Sequence, residues 1–243
     1  VATLEPALAC ANRPAVRLAA VAQVRNPRLL RALTRALEAR GVTIHARCPV
    51  HGLQVAAGRG VALETGAGLL ATDGPVVVAA GARSAGLVAP LGAPLPVVPV
   101  KGQMLLFEAA PGLIHHVVLQ ADRYAVPRRD GRVLFGSTVE QAGFDTTTDA
   151  ATRECLQADA VRLIPELAGA RLAAHWAGLR PGSPEGIPVV GRHPALRNLW
   201  VNAGHFRNGV LLAPATAELL VDRLLGRAPA LDPAPYDWPC AEA

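Results

Sequence analysis

Between residues 204 and 209 the chain runs Gly204-His205-Phe206-Arg207-Asn208-Gly209, an arginine and an imidazole held between two glycines. Glycines at such spacing let backbone approach a ligand closely. A short apolar run, Leu199-Trp200-Val201-Asn202-Ala203, precedes the stretch, and residues 211–225 follow with helical apolar spacing. Strand, glycine turn, helix brings N–H groups to the positive end of a helix, which attracts an anion or an electron-rich ring edge. A surface turn with a solvated arginine fits the same letters. A second candidate is Arg180, set before Pro181-Gly182. Its planar fork matches a carboxylate with two parallel hydrogen bonds, although a surface salt bridge is also open to it.

The elements that must position these residues can be read from periodicity. Asn26-Pro27 opens a helix, with Asn26 as cap, Leu29, Leu30, Leu33 and Leu37 on one face and Gly41 as the stop. Residues 42–46 read as a strand, and 61–65 with 68–71 as a hairpin. The run Val76-Val77-Val78-Ala79-Ala80 reads as a buried parallel strand. Gly81 and Ala82 stand at its carboxyl end, where open α/β sheets place ligands. From residue 97 the pattern changes to strands without helices between them, at 97–107, 115–119, 123–128 and 132–138. Asp130-Gly131 is a hairpin signal within them. Residues 147–164 read as a helix, 172–179 as a returning strand, Arg180-Pro181-Gly182 as a turn, and 232–243 as irregular. Residues 1–24 read as linker or loop. His115-His116 falls in a predicted strand, where neighbours face opposite sides, so no metal site is expected.

Composition narrows the classes. The 243 residues are 51% hydrophobic but only 4% aromatic, so an aliphatic core is expected. Net charge is 24 − 19 = +5, carried almost wholly by scattered arginines, with Lys101 the one lysine. Neither a basic stripe nor aromatic interleaving points to nucleic acid. No apolar run approaches the ~18 residues of a membrane span. Cys10, Cys48, Cys155 and Cys240 lie far apart, without metal spacing, which suits a reducing cytoplasm.

Several stretches together resemble the FAD-dependent amine and amino-acid oxidases of the D-amino-acid oxidase family, and most of all its glycine oxidases of thiamine biosynthesis. They are 204–214, 76–82, Pro99-Val100-Lys101-Gly102-Gln103-Met104, Tyr124-Ala125-Val126-Pro127-Arg128, Gly136-Ser137-Thr138 and Trp176-Ala177-Gly178-Leu179-Arg180-Pro181-Gly182. Leu4-Glu5-Pro6-Ala7-Leu8 is similar more weakly. The resemblance implies an α/β plus α+β fold: a partial Rossmann-like FAD-binding domain and an antiparallel-sheet substrate domain. It divides the chain into residues 1–98 (FAD domain), 99–175 (substrate sheet), 176–230 (return to the FAD domain) and 231–243 (tail).

The resemblance also implies roles. Arg180 and Tyr124 take the substrate carboxylate, and Arg207 lies over the reactive face of the flavin. Val50, after Cys48-Pro49, reads the adenine through its backbone, an ordinary core valine being the alternative. Gly81, Ala82, Gly204, His205, Arg207 and Asn208 border the cofactor. Gly209, Val210 and Leu211 bring N–H groups to the ring's electron-rich edge, where they stabilise charge in the manner of an oxyanion hole. Val139 and Asp122 border the substrate. The expected activity is oxidation of glycine or a similar small amine to the imine, with oxygen giving hydrogen peroxide and no metal. A dehydrogenase with another acceptor and a sarcosine-oxidase-like enzyme are alternatives. The expected partners are a small amino acid and oxygen, with a homo-oligomer open.

One family feature is absent. The pyrophosphate-holding G-x-G-x-x-G is not in the chain: Gly58-Arg59-Gly60 meets Leu63 where the third glycine belongs, and Gly66-Ala67-Gly68 meets Ala71. The chain is therefore expected to lack roughly the first hundred residues of the family fold, the size of a nucleotide-binding half. A fragment that needs that part for activity is the remaining alternative.

Overall fold

A computed structural model describes residues 1–9 and 14–239. In chain order its elements are α1 (Asn26–Glu38), β1 (Val50–Ala56), β2 (Arg59–Thr65), β3 (Gly68–Ala71), β4 (Val76–Val78), α2 (Ser84–Val88), β5 (Val98–Glu108) and β6 (Val118–Gln120). They continue with β7 (Arg123–Pro127), β8 (Arg132–Gly136), α3 (Ala150–Leu163), β9 (Arg171–Gly182), β10 (Val189–Arg192), β11 (Leu199–Ala203) and α4 (Gly209–Leu224). The chain folds into two compact units, one of residues 1–44, 101–140 and 145–178, the other of 45–100, 141–144 and 179–243.

The first unit is built on the sheet β6-β7-β8-β5-β9. Alternation along β5 buries Leu105 and Phe107, and β8 adds Val133 and Phe135. Against them α3 lays Leu156, Ala160 and Leu163, spaced four and three as one helix face requires. Asp149 caps α3 by accepting from the Thr152 N–H at 2.7 Å. Asp145 first bends residues 145–147 into a side-chain turn, which is why the helix starts at Ala150 and not at 147. The β7–β8 hairpin turns at Asp130-Gly131, where Gly131 has φ +81 and backbone of Ala109 fills the place of a Cβ.

A polar cluster around buried Gln103 and Lys101 ties β5 to the segment before α3. Gln103 donates to Glu140 at 3.1 Å and to Asp149 at 3.0 Å, and its oxygen lies 2.9 Å from His175 Nε2. Buried Lys101 pairs with Asp145 at 2.9 Å. The Gln103 bond is the main cause that lowers the Asp149 carboxyl to about 2.

The second unit carries two small sheets. In one, β1-β2-β3 is antiparallel throughout. In the other, β11 runs parallel to β4 and antiparallel to β10. Val78, Val97, Val189, Leu199, Val201 and Ala203 form its core with Trp238. This is an aliphatic core of the kind the composition implies.

Four local expectations need correction. Residues 42–46 are not in a strand, because no sheet among the described residues offers them an edge. Asn26 is the first helical residue and Arg25 the cap position, with no side-chain capping bond. His115 and His116 lie outside the strands, their backbone N–H groups gripped by the buried Glu5 carboxylate at 2.8 and 2.6 Å. Arg180-Pro181-Gly182 is the end of β9 and not a turn. Strand geometry persists there because Gly182 lies against Val98 and Val100 and leaves no room for a side chain. Cys10 and Cys240 lie outside the described residues; Cys48 and Cys155 are free thiols.

Candidate cofactor-facing site

The turn after β11 is built by close approach. Gly204 has φ +84, and a Cβ there would stand 3.1 Å from the Ser183 Cβ. Ser183 Oγ donates to the Gly204 carbonyl at 2.6 Å, and the Phe206 N–H donates to the Pro181 carbonyl at 2.8 Å. These bonds hold Phe206 at φ +46, a left-handed conformation uncommon for a bulky residue. Strain of this kind clusters at ligand sites. α4 then begins. Its first backbone bond from within the turn runs from the Leu212 N–H to the Asn208 carbonyl at 2.9 Å. The N–H groups of Gly209, Val210 and Leu211 precede the helix's internal ladder and point outward from its positive end.

His205 sits beside this helix. Its Nε2 is 3.0 Å from Thr216 Oγ1, which itself lies 3.1 Å from the Leu212 carbonyl it donates to. The hydroxyl proton being committed to Leu212, His205 carries its proton on Nε2 and leaves Nδ1 as an acceptor. Burial lowers its pKa from the ordinary value, so the ring is neutral at neutral pH.

These groups border a recess of about 380 Å³ at the carboxyl ends of β4 and β11. Ala79, Gly81, Pro181, Asn202, Ala203, His205, Phe206, Gly209, Ala213, Thr216 and Ala217 line it. Most are small, and Gly81, at φ +58, has open space where a Cβ would point. Asn202 Oδ1 is buried without a hydrogen-bond partner among the described residues, as is Ser84 Oγ at the start of α2. A flat, apolar-bodied ring with polar edges fits such a cradle: small walls admit the ring, and the Gly209 N–H and the orphaned Asn202 oxygen are placed for its edge.

Of the other sequence candidates, Ala82 is buried in the turn after Gly81, and Val50 opens β1, half-buried opposite Thr65. Arg207, Asn208, Val210 and Leu211 are exposed around the mouth of α4. Arg180 is half-buried near the end of β9, one residue before Pro181 in the recess wall. Tyr124 belongs to the first unit, on β7, and its hydroxyl donates to Met104 Sδ on β5 at 3.1 Å. Asn202 and Thr216 are two residues that the motifs alone do not single out. The signal for Asn202 is a lone polar letter inside an otherwise apolar strand, and for Thr216 a hydroxyl about two helical turns into the apolar helix that follows the glycine turn.

The family of FAD-dependent oxidoreductases called DAO matches residues 1–223. The chain belongs to that family. It is 50% identical over 232 residues to a glycine oxidase of Pseudomonas putida, an alignment covering 95% of this chain and 63% of that protein. It is 49% identical to a glycine oxidase of Pseudomonas aeruginosa, with 95% and 64% covered. In structure it is similar to glycine oxidase from Geobacillus kaustophilus, with a TM-score of 0.88 and 32% identity over all of this chain and 65% of that one. The chain thus spans just under two thirds of the length of the relatives it matches. The mixed α/β architecture with an antiparallel sheet, expected from sequence, is the family's fold.

Proposed function

We propose that this chain is the greater part of an FAD-dependent oxidase acting on glycine or a similar small amino acid. The observation that carries the reading is its 50% identity to a glycine oxidase across nearly its whole length. In this reading, FAD bound at the recess supplies the two-electron acceptor for oxidation of the carbon bearing the amine. Oxygen is the final acceptor and hydrogen peroxide the by-product. The imine hydrolyses to glyoxylate and ammonia or feeds thiazole synthesis for thiamine.

The residues named above divide the work. Arg180 binds the substrate carboxylate with paired hydrogen bonds, and the Tyr124 hydroxyl shares it. Met104 holds that hydroxyl through a weak thioether acceptor, so Tyr124 turns to a carboxylate at little cost. Arg207 borders the substrate side of the ring. The N–H groups of Gly209, Val210 and Leu211 meet the ring's electron-rich edge and stabilise negative charge there. Neutral His205 leaves the cradle uncharged. Val50 and Ala82 complete the cofactor contacts. In this reading the second unit, with residues 45–100 and 179–230, is the cofactor domain, and the first unit, residues 1–44 included, is the substrate domain, so the expected boundary at residue 98 does not hold for residues 1–44. The scattered cysteines support a cytoplasmic setting, and a homo-oligomer is compatible with the reading.

A second reading has its own support: a D-amino acid dehydrogenase of Cereibacter sphaeroides is 38% identical over 197 residues. It differs in the electron acceptor. The test is to load the chain with FAD, add glycine without air and follow the flavin absorption band, then admit oxygen and assay peroxide. Bleaching followed by peroxide supports the oxidase, and bleaching without peroxide the dehydrogenase. Retained flavin that does not bleach with glycine or small D-amino acids would contradict both.

A further inference from the structure

The second unit has another recess, of about 430 Å³, at the amino ends of the same strands. Four arginines line it, Arg59, Arg192, Arg197 and Arg223, together with Asn198 and Trp200. Asp73 is the one acid in the lining, so its walls carry four positive charges against one negative. Arg223 is already matched, by Asp237 and by the Val190 carbonyl at 2.8 Å. Arg59 and Arg197 donate only to backbone carbonyls, of Asp73 and Ala57. The Arg192 side chain has no hydrogen bond or ion pair among the described residues. Three guanidiniums therefore face one recess without a carboxylate partner among those residues.

The backbone that carries these arginines is held in place. The Asn198 side chain is buried and fully used: it accepts from the Gly60 N–H at 2.8 Å and donates to the Gly60 and Gly74 carbonyls at 2.8 and 2.9 Å. The Arg197 N–H also donates to the Gly58 carbonyl at 3.1 Å. These bonds fix the residues next to Arg59 and Arg197 against the start of β11. Opposite them, Arg192 pairs with Trp200 in the β10–β11 ladder, and the Arg223 guanidinium lies 5.8 Å from the Trp200 ring centre. The negative end of α4 opposes them with roughly half a charge, too little to cancel the walls.

We infer that this recess binds a small phosphate-bearing anion. A site preorganised to net positive charge is stabilised by a multiply charged partner, and a guanidinium matches phosphate oxygens two at a time. A singly charged carboxylate leaves most of these donors unmatched. The volume suits a small molecule, and Trp200 and Leu224 give it an apolar side for the organic part. The site is distinct from the cofactor-facing recess: from Asn198 to Ala203 the strand advances roughly 17 Å, at about 3.3 Å per residue. It does not depend on the oxidase reading.

Inorganic pyrophosphate titrated calorimetrically into the 243-residue chain at fixed ionic strength tests this. Saturable binding is expected, weakening as salt rises, with Arg192→Glu reducing affinity at least tenfold. Arg192 is exposed, so its replacement should leave thermal unfolding unchanged; if Arg192→Glu does not fold, Arg192→Gln should still weaken binding at least threefold. Pyrophosphate binding no tighter than acetate, or binding indifferent to these variants, would overturn the proposal. So would tighter, Arg192-dependent binding of duplex DNA, which would make the recess part of a nucleic-acid surface.

Discussion

The two ends of the β4–β11 strand pair present opposite chemistry within one small unit. At the carboxyl ends stand small residues, a half-buried neutral imidazole and the outward N–H groups of α4. At the amino ends stand four arginines. N–H dipoles stabilise an electron-rich edge with partial charges that act within the first turn of the helix. The guanidiniums carry full charge and act at longer range. One strand pair can therefore serve two ligand classes because dipoles and charges act over different ranges.

Variants should affect one end and spare the other. The largest effect is expected from Gly204→Val. A side chain at φ +84 costs about 1–3 kcal/mol in strain, and the contact with Ser183 adds about 1–3 kcal/mol of overpacking. Urea unfolding should show the loss; flavin binding should fall, while the folded fraction still takes pyrophosphate. Next is Arg180→Ala. Removing one partner of a hydrogen-bonded charge pair costs about 2–5 kcal/mol, so kcat/KM for glycine should fall roughly thirtyfold or more, with Arg180→Lys recovering only part. Asn198→Ala tests the other end. It unpairs the Gly60 N–H and two carbonyls, costs about 1–3 kcal/mol, and should weaken pyrophosphate binding while leaving the cofactor-facing recess intact.

Smaller effects sharpen the contrast. Thr216→Val removes the acceptor of the His205 Nε2–H and should cost about 1 kcal/mol, with a changed His205 tautomer seen by NMR. In the parent chain, an NMR pH titration should find the His205 pKa below the ordinary ~6.5 of histidine. Its folded-state pKa being lowered, its contribution to stability is complete above that ordinary value and is lost as pH falls through the lowered one.

How far the sequence revealed these features depended on whether their cause was local. The apolar run at 199–203, the glycine turn and the helix after it are local signals, and the structure places β11, the turn and α4 there. Asp130-Gly131 likewise sets its own hairpin. Residues 42–46 have strand letters, but a strand needs a partner, and partners are not written locally. Arg180-Pro181-Gly182 has turn letters, yet contact of Gly182 with distant Val98 and Val100 keeps it extended. The arginine recess was the least legible feature, because residues 59, 192, 197 and 223 are adjacent only after β2, β10, β11 and α4 assemble. His205 was visible as a letter, but its neutrality comes from burial, which no spacing rule announces.

The central claim is that the recess at the carboxyl ends of β4 and β11 holds the flavin ring. Riboflavin carries the ring without phosphate, so the arginine end has no charge to attract it. Titrated into the ¹⁵N-labelled chain, it should shift the amides of Gly81, Gly204, His205 and residues 209–211 and leave Gly60, Arg192 and Arg197 unmoved. Shifts centred on the arginine end, or none at residues 204–211 with saturating riboflavin, would contradict the account.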